Sequence, residues 1–110
     1  MVSQKEAQEI FQQYQSYQQQ IQNILLQKEN LKLQLLEIDT ALDELEKTKE
    51  KEGYKIVGPI MVKKSVEEIK EELRDKRNSI DLRIKMLEKT ETKISERLKD
   101  LESKLQQLLK

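Results

Sequence analysis

The residues of this chain that could do bond-making chemistry are few. Acidic pairs occur at Glu67-Glu68 and Glu71-Glu72, a residue type that can ligate a divalent cation when several oxygens converge. Here they stand among lysines on what reads as a helix surface, so no metal is expected. The 110 residues include no histidine and no cysteine, which removes the usual proton shuttle, the usual nitrogen ligand and all thiolate and disulfide chemistry. With two glycines in the whole chain there is no phosphate-cradling loop, so neither a nucleotide nor any other cofactor is expected. No catalytic residue is assigned. What remains is apolar contact, concentrated in two places: the stretch GYKIVGPIMVKK from Gly53 to Lys64, and the two ends of the chain.

The elements that position these residues follow from periodicity. Apolar residues fall at alternating steps of four and three along Ile10, Tyr14, Tyr17, Ile21, Ile24, Leu31, Leu35, Ile38, Leu42 and Leu45, with Lys28 alone breaking the seam. Ser3 and Glu6 have capping-box spacing, which starts a helix at residue 4. The charged run to Glu52 ends it near residue 51, with Gly53 placed as a left-handed cap. A second capping box at Ser65 and Glu68 opens a helix over 65–109, whose seven-residue repeat is Val66, Leu73, Ile80, Leu87, Ile94, Leu101 and Leu108.

Each helical arm is about 45 residues, or roughly 70 Å at helical rise. A single helix of that kind needs a partner for its stripe. The expected solution is a long antiparallel coiled-coil hairpin within one domain, 1–110. Its seams pair Ile10 with Leu105, Tyr14 with Leu101, Ile21 with Ile94, Leu35 with Ile80 and Leu42 with Leu73. Lys28 and Glu91 then fall in adjacent layers. They either pair, or Lys28 snorkels alone to water, which is the blander reading and the one expected.

Between the arms, Tyr54 to Val57 and Ile60 to Val62 carry β-branched and aromatic residues around a Gly58-Pro59 turn, and a β-hairpin over 54–63 is predicted. Val57 faces Ile60, Ile56 faces Met61 and Lys55 faces Val62. Such a pair is marginal alone and leaves two open backbone edges, so the segment reads as an oligomerisation element: Tyr54, Ile56, Val57, Gly58, Pro59, Ile60, Met61 and Val62 joining hairpins of other chains in a shared sheet or barrel. An ordinary helix-to-helix loop is the competing reading. The chain ends expose a second apolar set, Ile10, Phe11, Tyr14, Leu105, Leu108 and Leu109, suited to contact with apolar partners or to closing the coiled coil.

Bulk composition agrees. The chain is 35% hydrophobic and 38% charged, poor material for a globular core, and its 21 basic and 21 acidic residues cancel. Neither nucleic acid nor an anionic membrane is an expected partner. No apolar run of signal-peptide or membrane-spanning length is present, which predicts a soluble cytoplasmic protein. The excess of Glu, Lys and Ile leans towards a thermophilic source, a lean that coiled coils share.

Two heptad arms joined by YKIVGPIMVKKSVEEIKEEL resemble a prefoldin β subunit of the archaeal type, and the resemblance covers essentially the whole chain. The family's Tyr-Lys-x-Val-Gly-x-x-x-Val core is matched by Tyr54, Lys55, Val57, Gly58 and Val62. The α-type subunit carries two hairpins, and the segment here has room for one. The resemblance implies a hexamer of two α and four β subunits with a double β-barrel body and coiled-coil tentacles. It implies an ATP-independent chaperone whose tips, here Ile10, Phe11, Tyr14, Leu105, Leu108 and Leu109, hold unfolded proteins and pass them to a group II chaperonin. The alternative from a different class is a structural coiled-coil tether without chaperone activity, which accounts for the heptads and not for the apolar hairpin.

Overall fold

The structure, a computed structural model, describes residues 3–109. Met1, Val2 and Lys110, which the expected 1–110 domain includes, lie outside the described residues. The order of elements is helix, strand, strand, helix: α1 (Gln4–Lys47), β1 (Glu52–Val57), β2 (Ile60–Ser65) and α2 (Val66–Leu108). This is the predicted pair of long helices with one antiparallel hairpin between them.

Both helices begin as the sequence predicts. Ser3 Oγ accepts the Glu6 amide at 3.2 Å and Ser65 Oγ accepts the Glu68 amide at 3.1 Å, so each serine satisfies an amide that the first turn leaves without a partner. The end of α1 differs from the expected residue 51. The last helical bond runs from the Thr48 amide to the Glu44 carbonyl, Thr48 Oγ1 then accepts the Glu50 amide, and the chain leaves the helix at Lys47. Gly53 is accordingly not a left-handed cap but the second residue of β1. The hairpin is longer than 54–63 by two residues at each end, and α2 starts one residue later than 65 and ends one before 109.

The chain divides into two compact units, one made of the chain up to Glu29 with that from Ile84 onward, the other of Asn30–Arg83. In the first, Ile24, Ile84, Ile94 and Leu101 are buried; in the second, Leu31, Ile38, Val66 and Ile80. All but Ile84 belong to the two seams given above, and Ile84 stands between the repeat positions Ile80 and Leu87, four residues after the one and three before the other. Polar pairs give the direction of the helices within each unit. Arg97 donates to the Tyr17 hydroxyl and Lys28 to Glu91 in the first, while Arg77 donates to Asp39 and Lys70 pairs with Glu46 in the second. As the α1 member of each pair advances, the α2 member recedes, which is the antiparallel direction the seams predict.

Lys28 corrects an expectation. Its side chain is only 12% exposed, and its Nζ lies 3.2 Å from Glu91 Oε2. It does not snorkel alone to water. At that position an ion pair stands in place of the apolar contact of the heptad, and its other member, Glu91, is 26% exposed.

Candidate functional site

The first candidate surface is the hairpin. The register pairs Gly53 with Lys64, Tyr54 with Lys63, Lys55 with Val62, Ile56 with Met61 and Val57 with Ile60, as predicted for the last three pairs. Directly opposed residues project to the same side of a sheet, and successive pairs alternate. Gly53, Lys55, Val57, Ile60, Val62 and Lys64 therefore share one face, and Tyr54, Ile56, Met61 and Lys63 the other. The turn explains the dipeptide: Gly58 has φ +56, Pro59 is not in the positive-φ region, and glycine at the first central position with a ring-fixed negative φ at the second is the type II′ combination.

The two faces have different surroundings. The first meets the start of α2: the Val66 amide donates to the Lys51 carbonyl at 2.8 Å, a Cβ on Gly53 would come within 3.1 Å of Ile69 Cδ1, and Val62 is half-buried. Lys55 and Lys64 both donate to the carboxylate of Glu72. These bonds, that from Lys55 foremost, hold Glu72 well below its ordinary value, at about 2, and the Lys64 ammonium is raised in return. The opposite face is open, with Tyr54, Ile56 and Met61 being 64%, 73% and 66% exposed. Val57 and Ile60, next to the turn, are exposed as well. With only two strands in the sheet, β1 and β2 each leave one edge of backbone groups unpaired.

The second candidate surface lies in the first unit, at the chain ends. The structure separates the six residues predicted there. Ile10, Tyr14, Leu105 and Leu108 are half-buried, as seam residues are, whereas Phe11 and Leu109 are exposed. Phe11 and Ala7 form the floor of a shallow groove along α1, rimmed by Gln4, Gln8, Gln12 and Gln15 and carrying no charged side chain.

Sequence reasoning missed a further apolar set. Leu25 and Leu26 in the first unit and Leu33 and Leu36 in the second are exposed on α1, as are Leu82 and Met86 on α2. The signal was present: Leu26 to Leu33 is seven residues and Leu25 to Leu36 is eleven, close to two and three whole helical turns, so these leucines repeat with a phase of their own, on the side of α1 turned away from the seam.

Among the described residues no helix is long and apolar enough to cross a membrane, and no group of three or more acidic side chains is arranged to hold a metal ion. Both surfaces present exposed apolar side chains and the hairpin adds open strand edges, which defines the class: a helix–hairpin–helix chain with no site for bond-making chemistry among the described residues.

The sequence matches the prefoldin subunit family over residues 8–110. It is 39% identical over 99 residues to the prefoldin subunit beta of Thermococcus onnurineus, covering 89% of this chain and 85% of that protein. The prefoldin subunit beta of Archaeoglobus fulgidus is 36% identical over 105 residues, covering 94% and 90%. The crystal structure of the prefoldin beta subunit from Thermococcus strain KS-1 superimposes with a TM-score of 0.87 at 34% identity, covering 100% of this chain and 96% of that one. The chain belongs to the prefoldin family, and the two relatives named are archaeal beta subunits. Membership makes it a subunit of a molecular chaperone and not an enzyme, and it disfavours the tether reading.

Proposed function

We propose that this chain is one of four β subunits that assemble with two α subunits into a prefoldin hexamer in the cytoplasm, through the hairpin residues Tyr54 to Val62. The complex captures unfolded proteins without ATP and passes them to a group II chaperonin. Client contact is assigned to Phe11 and Leu109 first, with Ile10, Tyr14, Leu105 and Leu108 joining where the helix ends fray. The observation that carries this reading is the exposure of Phe11 at 50% and of Leu109 at 88% in a chain whose family is a chaperone. Large apolar side chains left in water, Phe11 within a neutral, glutamine-rimmed groove, suit transient contact with apolar segments of many sequences.

Removing residues 105–110 and, separately, replacing Phe11 with serine tests the assignment. Hexamer mass is followed by light scattering and client aggregation by turbidity on the same samples. The truncated chain is expected to assemble and to lose client protection, since three leucines per chain disappear from several chains at once. Phe11→Ser acts in the same direction and more mildly. A truncated protein that protects clients as well as the full chain transfers the binding surface elsewhere, first to the exposed leucines of α1.

A further inference from the structure

Glu72 is tied to three elements at once. It stands on the second turn of α2, receives Lys55 Nζ from β1 at 2.8 Å on Oε2 and receives Lys64 Nζ from β2 on Oε1. The ion pairs Arg77–Asp39 and Lys70–Glu46 join helix to helix; Glu72 joins a helix to both strands of the hairpin. At its root the hairpin is held by the Val66 amide on the Lys51 carbonyl and by the close approach of Gly53 to Ile69. A two-stranded ribbon held only at its root is free to rock and twist. The Glu72 contact with Lys55 lies further out along β1, on the same face as Gly53, and so opposes rotation about that root.

We infer that Glu72 is a positioning residue for assembly: by holding Lys55 and Lys64 it sets the angle at which the hairpin presents Tyr54, Ile56 and Met61 to partner chains. This rests on the proposed assembly through the hairpin. The clamp uses the two lysines that the hairpin carries on its α2-facing side; on the opposite face Lys63 pairs with Glu52 at the root, which leaves the outer part of that face to Tyr54, Ile56 and Met61. Its carboxyl, held down near 2 by those lysines, stays ionised across the physiological range, so the clamp is permanent and not a switch.

The test uses the full chain mixed with an archaeal prefoldin α subunit, with assembly measured by light scattering over a range of concentrations and helicity by circular dichroism. Glu72→Gln keeps the shape of the side chain and removes its charge. It is expected to leave helicity unchanged and to raise the concentration at half-assembly about tenfold, the product of two half-exposed ionic contacts each worth a few-fold. Combining Glu72→Gln with Lys55→Gln and Lys64→Gln should add nothing beyond either change alone, because a clamp is lost once. Ile56→Asp is the control and should abolish assembly. If Ile56→Asp assembles normally, hairpin-mediated assembly itself is wrong and the inference falls with it. If Ile56→Asp fails to assemble while Glu72→Gln assembles at the wild-type concentration, the clamp is refuted and the assembly reading stands. A Glu72→Gln chain that loses helicity together with assembly, or additive effects of the Glu72 and lysine changes, also overturns the positioning role.

Discussion

Deleting the carboxylate of Glu91 while keeping the ammonium of Lys28 isolates the one seam position where the heptad is broken. Lys28 is 12% exposed and Glu91 26%, with 3.2 Å between Nζ and Oε2. Two limits bracket the cost. An exposed pair contributes only about 0.2–1 kcal/mol, and breaking a fully buried one costs about 3–5 kcal/mol because a charge is left without a partner. The burial of this pair falls between the two, as does the range for hydrogen bonds to charged groups, so Glu91→Ala should cost about 1–3 kcal/mol. For a chain of this size that lowers the melting temperature by about 4–12 °C. Glu91→Gln, which keeps an acceptor in place, should cost less than half as much. Replacing both residues with leucine fills the layer with the apolar contact the heptad otherwise provides and should match or exceed the wild type, by up to about 2 kcal/mol. Thermal and urea unfolding followed by far-ultraviolet circular dichroism reads all three variants. Because the ammonium is shielded, about 1 M salt should leave most of the difference in place, unlike that of a surface pair. A Glu91→Ala chain within about 0.3 kcal/mol of the wild type shows that the shielded pair does not stabilise this layer, and a double-leucine chain less stable than Glu91→Ala shows that the layer does not take the apolar contact.

The remaining predictions address the second unit. Cysteines at Leu35 and Ile80 should form an intrachain disulfide under mild oxidation, and bridges solely between chains would contradict the register. Gly58→Ala should weaken the hairpin by about 1–2 kcal/mol, seen as faster hydrogen exchange of the β1 and β2 amides, because a φ of +56 strains any Cβ although nothing lies within 4 Å of it. Gly53→Ala should cost less, since its Cβ meets the flexible end of Ile69 at 3.1 Å and Val66 Cγ2 at an ordinary contact distance of 3.9 Å. Folding depresses Glu72 from 4.5 to about 2, so its contribution to seating the hairpin is complete above pH 4.5 and is lost as the pH falls towards 2. The difference in hairpin exchange between the wild type and Glu72→Gln should therefore be present at neutral pH and vanish at about pH 2; a difference that persists there contradicts the ionic origin.

The fold was legible wherever one local rule decided the outcome. Ser3 and Ser65 cap their helices because no competing partner exists for those amides, and the type II′ turn follows from glycine and proline in that order. Legibility failed where two rules competed. Lys49, Glu50 and Lys51 have good helix propensity, yet the Lys51 carbonyl is taken by the Val66 amide and the chain is committed to the strand root instead. Gly53 reads as a helix cap on local rules; its actual role, making room for Ile69, depends on a residue sixteen positions away. The same holds for Lys28, where the sequence supplied the right neighbour but not the side-chain geometry that decides between pairing and solvation. On the hairpin the sequence showed apolar residues on both faces, and only the position of α2 distinguishes the seated face with Val62 from the open one with Ile56. At the chain ends, exposure separates Phe11 and Leu109 from seam residues that differ from them by a single position. Assigning the seam first also concealed Leu25, Leu26, Leu33 and Leu36.

The two apolar surfaces differ in what they can demand of a partner. An open strand edge presents N–H and C=O groups at the fixed spacing of a strand, about 3.3 Å per residue, and only another strand in register satisfies them. The hairpin edges, with Tyr54, Ile56 and Met61 on one face, therefore accept few partners and accept them in one orientation. A helix satisfies its backbone internally except at its ends, so Phe11 and the glutamines around it offer only side-chain contact. That contact scales with apolar area, at roughly 25 cal/mol per Å², and imposes no register and no sequence. The uncharged rim adds no sign preference either. On the proposed assignment, specific association with sister subunits and permissive contact with unfolded clients thus need no separate domains: one chain would supply both by leaving backbone unpaired in its strands and paired in its helices.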